Sequence, residues 1–204
     1  MLNYEQQLLR KKQKEQYNAE NKVIEHYENE ALTNYQIENI LQGRTKILTY
    51  KQLPQFDNIH DILEPFENFI MLYLARPNYG HWICVLQHPD RIEFFDPYGG
   101  EDNIPDTVLD NINEDVKEIT NQDYPYLSQL LDDSGYPIEY NNYKFQKHAK
   151  DIKTCGRHCI VRVFFKDLLL DDYYEFMTLL ANKMKMNYDQ LVTFLTAPLE
   201  SYTH

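Results

Sequence analysis

Three side chains in this sequence have types and settings that could do covalent chemistry. In the stretch NYGHWICVLQHPDRIEFFDPYGG (residues 78–100), two strand-like runs flank a polar turn, with His81 near one outer end and Asp96 near the other. Taking QHPD (87–90) as a four-residue loop predicts that Leu86 faces Arg91 and, counting outward, that Ile83 faces Phe94 and His81 faces Asp96. One face then carries Val85, Ile83, Ile92 and Phe94 and ends in the His81–Asp96 pair, while the other carries Trp82, Cys84, Leu86, Glu93 and Phe95. A carboxylate beside an imidazole fixes the ring tautomer and stabilises its protonated form, as a general base requires. The same pair could equally be a structural hydrogen bond at a sheet end.

The third side chain is Cys155, in YKFQKHAKDIKTCGRHCIVRVFFKDLLLDD. Beyond Gly156 the residues Ile160, Val161, Val163, Phe164, Phe165 and Leu168 predict a helix buried in the core, interrupted mainly by Arg162 and Lys166. Thr154 is the predicted N-cap, which places Cys155 in the first turn with unpaired backbone N–H groups around its sulfur, the setting of an activated thiol. Gly156 beside it would let a substrate backbone come close. Cys159, one turn deeper, reads as a space-filling core cysteine. Cys155, His158 and Cys159 also form a short metal-like cluster, but a structural site wants four ligands and no further pair accompanies them, so no metal is expected.

Taken together, GHW, then FFDPYG with its aspartate fifteen residues after the histidine, then Gln146, then CG opening a helix, in the order His, Asp, Gln, Cys, resemble the adenovirus-protease and SUMO-protease superfamily of cysteine peptidases. More narrowly, TCGRHC after a Tyr- and Asn-rich strand resembles the maturation proteases of virophages and giant DNA viruses. The resemblance covers residues 33–175. It implies an α+β fold with a papain-like site, Cys155 as nucleophile, His81 as base, Asp96 as orienting carboxylate and Gln146 as oxyanion-hole amide. It also implies Trp82 over the substrate backbone beside Gly156, no cofactor, and cleavage of protein precursors, such as capsid proteins, after small residues. The better-known members place the glutamine closer to the cysteine; the nine residues from Gln146 to Cys155 imply an insertion in KHAKDIK. A ubiquitin-like deconjugating protease, an acetyltransferase of related fold, and a silent binding module remain open alternatives.

The elements that must position these residues follow from patterning. Residues 1–33 are rich in Glu, Gln, Lys and Asn, without Pro or Gly, and predict a charged helical extension; residues 34–204 would form the protease domain. A short helix should start near Thr33 or Asn34. NFIMLYLA (68–75), HWICVLQ (81–87) and RIEFFDP (91–97) predict a three-stranded antiparallel meander, punctuated first by Pro77, Asn78 and Gly80. IEYNNYKFQ (138–146) predicts a further strand, and everything from Cys155 onward predicts helix. Helices outside a mainly antiparallel sheet make an α+β fold.

Composition narrows the function classes. With 204 residues the chain can bury a sizeable core without staples, and three cysteines, an odd number, point to a reducing intracellular setting such as host cytoplasm, with packaging in the virion if the protein is viral. No run reaches the roughly 18 apolar residues of a membrane span, so no membrane partner is expected. A net charge of −12 argues against nucleic acid as the main partner.

Overall fold

The computed structural model describes residues 4–76, 79–100 and 104–200; the punctuating Pro77 and Asn78 lie outside the described residues. Five strands, β1 (Lys46–Thr49), β2 (Asn68–Arg76), β3 (Tyr79–Gln87), β4 (Ile92–Phe95) and β5 (Ile138–Tyr140), form one sheet in sequence order. The β2–β3–β4 meander is antiparallel, while β1 joins β2 and β5 joins β4 in parallel, giving an α+β protein with a mixed sheet. Four-residue β1 was not anticipated, because KILT is too short to show a period.

Helices cover both faces. Along β2, Phe69, Met71 and Tyr73 point to one side and Ile70 to the other, as the two-residue repeat of a strand requires. The Ile70 side, with Trp82, Cys84, Leu86 and Phe95, packs on α2 (Asn34–Leu41), α7 (Cys155–Phe164), α8 (Leu170–Met184) and α9 (Tyr188–Glu200). The Phe69 side, with Ile83, Val85, Ile92 and Phe94, packs on the 3-10 turn Tyr50–Gln55, α3 (Ile59–Leu63), α4 (Pro105–Asp110) and α6 (Tyr126–Asp132). A long helix, α1 (Tyr4–Glu28), precedes these and meets α9, and α5 (Glu114–Thr120) lies near β2.

The hairpin register differs from the expected one by two residues. Gln87 pairs with Ile92, Val85 with Phe94 and Cys84 with Phe95, because the four-residue loop is HPDR, closed by the His88 N–H donating to the Arg91 carbonyl at 2.9 Å. A shift of two preserves the face of every side chain, whereas a shift of one would have reversed it. Gly80, just before His81, is dictated by the neighbouring strand: a Cβ there would lie 1.7 Å from the Tyr73 carbonyl oxygen.

α2 starts as expected. Thr33 is its N-cap, with a capping box in which the Gln36 side chain accepts from the Thr33 N–H at 2.9 Å. In α7, Arg162 is fully buried, yet its guanidinium donates to both carboxylate oxygens of Glu93 at 2.8 and 2.6 Å, and His88 bonds the same carboxylate at 3.0 Å. Severing such a buried pair costs ~3–5 kcal/mol, so the contact registers α7 against β4. β5 ends at Tyr140, short of the expected strand, because the Asn141 side chain turns inward to donate to the carbonyls of Asp96 and Tyr143 at 2.7 and 3.0 Å.

Candidate active site

β3 carries His81 and Trp82 to opposite faces of the sheet. His81 Nε2 donates to Asp96 Oδ1 at 2.7 Å, although Asp96 lies just past the end of β4 and the shifted register makes the contact diagonal rather than directly opposed. Asp96 is only 2 % exposed and His81 17 %. The carboxylate is held by its own turn: the Tyr98 N–H donates to Oδ1 at 2.8 Å and the Gly99 N–H to the Asp96 carbonyl at 3.0 Å. Tyr98, which sequence reasoning quoted but did not single out, lays its ring flat on His81, and His148 stacks on its other side.

Burial alone would pull the His81 pKa down. The charge and hydrogen bond of Asp96, together with a hydrogen bond to Cys155, outweigh it and raise the imidazole to about 10. Because Asp96 occupies Nε2, Nδ1 is the ring nitrogen left for the sulfur. Cys155 opens α7 and is 7 % exposed. It lies in a cleft of about 690 Å³ together with His81, Trp82, Tyr98 and Gln146, whose further walls include Leu32, Leu72 and Lys153.

Thr154 does occupy the N-cap, but its side chain makes no capping bond. Its hydroxyl instead donates to Asp189 Oδ1 at 2.5 Å, and the same oxygen receives His158 Nε2 at 3.1 Å. His158 therefore belongs to a second buried His–Asp pair on α9 rather than to a ligand set. Among the described residues no three His, Cys, Asp or Glu side chains converge to hold a metal ion. Cys159 is fully buried, and burial with a bond to Cys84 pushes its thiol well above the ordinary value.

Gln146 reaches the cleft from the loop after β5. Its N–H and that of Phe145 both donate to the Pro97 carbonyl, at 2.9 and 3.0 Å, so the residue after Asp96 also anchors the glutamine. Gln146 is buried, and its side-chain Oε1 has no hydrogen-bond partner. Trp82 is both a core residue and a cleft wall: its indole N–H donates to the Leu32 carbonyl at 3.1 Å. Gly156 has a packing reason of its own. A Cβ there would stand 3.2 Å from Trp82 Cδ1, 3.3 Å from Ile37 Cδ1 and 3.4 Å from Leu32 Cβ, and the residue is buried away from the cleft lining.

The structure thus brings His81, Gln146, Cys155 and Trp82 to one cleft, with Asp96 bonded to His81 from behind, and sets Gly156 behind the cleft wall. Chemically, the arrangement offers a thiol, a proton acceptor oriented by a carboxylate, and backbone and amide donors beside the sulfur. Tyr98 stood two residues beyond Asp96, where an aromatic could have been noticed. Asp189 left no comparable signal, lying 34 residues after Cys155 on another helix.

Among the described residues no helix is long and apolar enough to cross a membrane. No protein-family model matches the chain. It is 39 % identical over 176 residues to the uncharacterized protein V9 of Sputnik virophage, an alignment that covers 86 % of this chain and 99 % of that protein. The chain therefore belongs to the same family as this virophage protein.

Proposed function

We propose that the chain is a cysteine endopeptidase of the adenovirus-protease and SUMO-protease kind, which cuts precursor proteins after small residues during the maturation of viral particles. The observation that carries this reading is the His81 ring, bonded to Asp96 through Nε2 and lining the same cleft as Cys155, which opens a buried helix. The kinship with a virophage protein supports a viral setting.

In this reading His81 holds the thiol proton as an imidazolium beside the Cys155 thiolate, which attacks the scissile carbonyl. The developing oxyanion is met by the Cys155 backbone N–H, which has no intrahelical acceptor in the first turn, and by the Gln146 side chain. Only the Gln146 side-chain NH2 can donate to that oxyanion, and the residue is buried in the cleft that holds Cys155. His81 then protonates the leaving amine, and water attacks the thioester to release the acid and regenerate the thiol.

The test is incubation of the purified chain with peptides bearing Gly-X or Gly-Gly sites, with ubiquitin-like conjugates and with acetyl-coenzyme A. Cleavage of the peptides that disappears in Cys155→Ala is the expected result. Acetyl transfer without cleavage, or cleavage that persists in Cys155→Ala, would overturn the proposal.

A further inference from the structure

Asp189 is a carboxylate that the mechanism above does not use, buried to 1 % exposure in the first turn of α9. Its two oxygens take three hydrogen bonds. Oδ1 accepts from the Thr154 hydroxyl at 2.5 Å and from His158 Nε2 at 3.1 Å, and Oδ2 accepts from the Lys147 backbone N–H at 3.2 Å. Burial opposes its charge, but the His158 ring, the Thr154 hydroxyl and the Lys147 amide hold the carboxyl below its ordinary range.

Two of those donors occupy particular places. Thr154 immediately precedes Cys155, and Lys147 immediately follows Gln146. One carboxylate on α9 therefore fixes the residue before the sulfur and the residue after the amide, while Asp96 holds His81 from the sheet. An oxyanion hole acts only if its donors sit at the right separation before the reaction begins, because misplacement of about 1 Å is costly.

We infer that Asp189 is a positioning residue that sets the spacing between the Cys155 N–H and the Gln146 amide, an inference that rests on the peptidase reading. It has no part in the thiol–imidazole pair, which His81 and Asp96 build from the sheet side. Acyl transfer, which develops an oxyanion, depends on Asp189; alkylation of the sulfur at a saturated carbon, which develops none, does not.

Asp189→Asn tests this directly. The amide keeps one acceptor and turns its NH2 either toward the Lys147 N–H, setting two donors face to face, or toward Thr154 and His158, which must then stop donating to that position. Thr154→Val, close in shape, removes only the hydroxyl bond and serves should Asp189→Asn fold poorly. With a glycine-site peptide, kcat should fall at least about tenfold in both variants while KM changes little. The rate of iodoacetamide alkylation at Cys155 and its pH profile should stay at the wild-type level, a split that general loosening of the fold would not produce. Unchanged kcat in Thr154→Val, or alkylation that falls in proportion to kcat, would overturn the inference. Wild-type protein that cleaves no peptide would instead sink the peptidase reading itself.

Discussion

Tyr98 lies flat against His81, with ring centroids 4.6 Å apart and planes within 12°. The same tyrosine stacks on His148 at 3.8 Å and 13°, and its N–H holds Asp96 Oδ1. The imidazole is thus fixed in its plane by a ring and along its edge by a carboxylate, and a protonated imidazole gains from the π-face beneath it. Tyr98→Ala should leave the His81–Asp96 bond in place yet lower kcat about tenfold, whereas Tyr98→Phe keeps the stack and should stay near the wild-type rate. Steady-state kinetics of the two variants decide it: equal losses would show that the hydroxyl matters and the stack does not.

Asp96 sets the titration of His81. Its charge raises the folded-state value to about 10, above the ordinary 6.5, so the protonated ring stabilises the fold fully below pH 6.5 and this contribution is lost as pH rises through 10. Asp96→Asn should therefore move the alkaline limb of the activity profile toward neutrality and lower stability at pH 7 by on the order of 1.5–3 kcal/mol, the range for a hydrogen bond to a charged group. A pH–rate profile for kcat/KM with an unmoved alkaline limb would refute the assignment.

The three cysteines differ in a way that alkylation can read. Cys84 and Cys159 are buried to the last atom, and the Cys159 thiol is pushed well above its usual value by burial and by its bond to Cys84, so it stays protonated near neutral pH. Peptide mapping after brief iodoacetamide treatment at pH 7.5 should find label on Cys155 alone. Cys84→Ser and Cys159→Ala should keep turnover at some cost in stability, about 1 kcal/mol or more for the cavity left by Cys159→Ala. A folded, inactive Cys159→Ala beside an active Cys155→Ala would reverse the roles.

How much of this was legible depended on range along the chain. The two-residue alternation in β2, β3 and β4 revealed the meander and the shared face of His81 and Asp96, and a register off by two left that face intact. The apolar run after Gly156 revealed α7. What stayed hidden was non-local: Thr154 looks like a cap because local residues decide most caps, but Asp189, 35 residues away, takes its hydroxyl. Gly156 looked like a concession to substrate because Leu32 from the loop before α2, Ile37 from α2 and Trp82 from β3 converge on it, a meeting that no local pattern shows. The ends of β5 likewise depend on Asn141 reaching back to Asp96, a contact no local pattern contains.

Glu28, the last residue of α1, offers a test of how that helix is seated. Its backbone carbonyl accepts the Lys153 N–H at 2.8 Å, and burial together with the nearby Asp189 and Glu25 charges raises its carboxyl to about 7 from 4.5. The folded state therefore binds more protons than the unfolded one between pH 4.5 and 7; stability falls as pH rises through that window, and the penalty is complete above it. Glu28→Gln should be more stable than wild type at pH 8, by ~1–3 kcal/mol, and indistinguishable below pH 4.5. Urea denaturation at both pH values reads this, and a variant less stable at pH 8 would contradict it.

The cleft should select glycine at the position that precedes the cut. Trp82 cannot swing away from Cys155, because its indole N–H is tied to the Leu32 carbonyl and its ring edge fills the space that the missing Gly156 side chain leaves. A fixed wall beside the sulfur excludes side chains by shape, which is selection by clash with the wrong residue more than by attraction to the right one. Glycine has no Cβ to clash, and its backbone can reach the Cys155 N–H and the Gln146 amide with little strain. In one peptide series, replacing that glycine by alanine and then by leucine should lower kcat/KM in two steps. Truncating Trp82 to alanine would empty a core position at a cost of ~3–5 kcal/mol, so Trp82→Phe is the better probe. Phenylalanine keeps the packing but lacks the bond to Leu32, which lets the wall move. It should therefore lower the rate on the glycine peptide while narrowing the gap between the glycine and alanine peptides. Equal wild-type cleavage of the glycine and leucine peptides would rule out a steric wall and require a different account of how the bond is chosen.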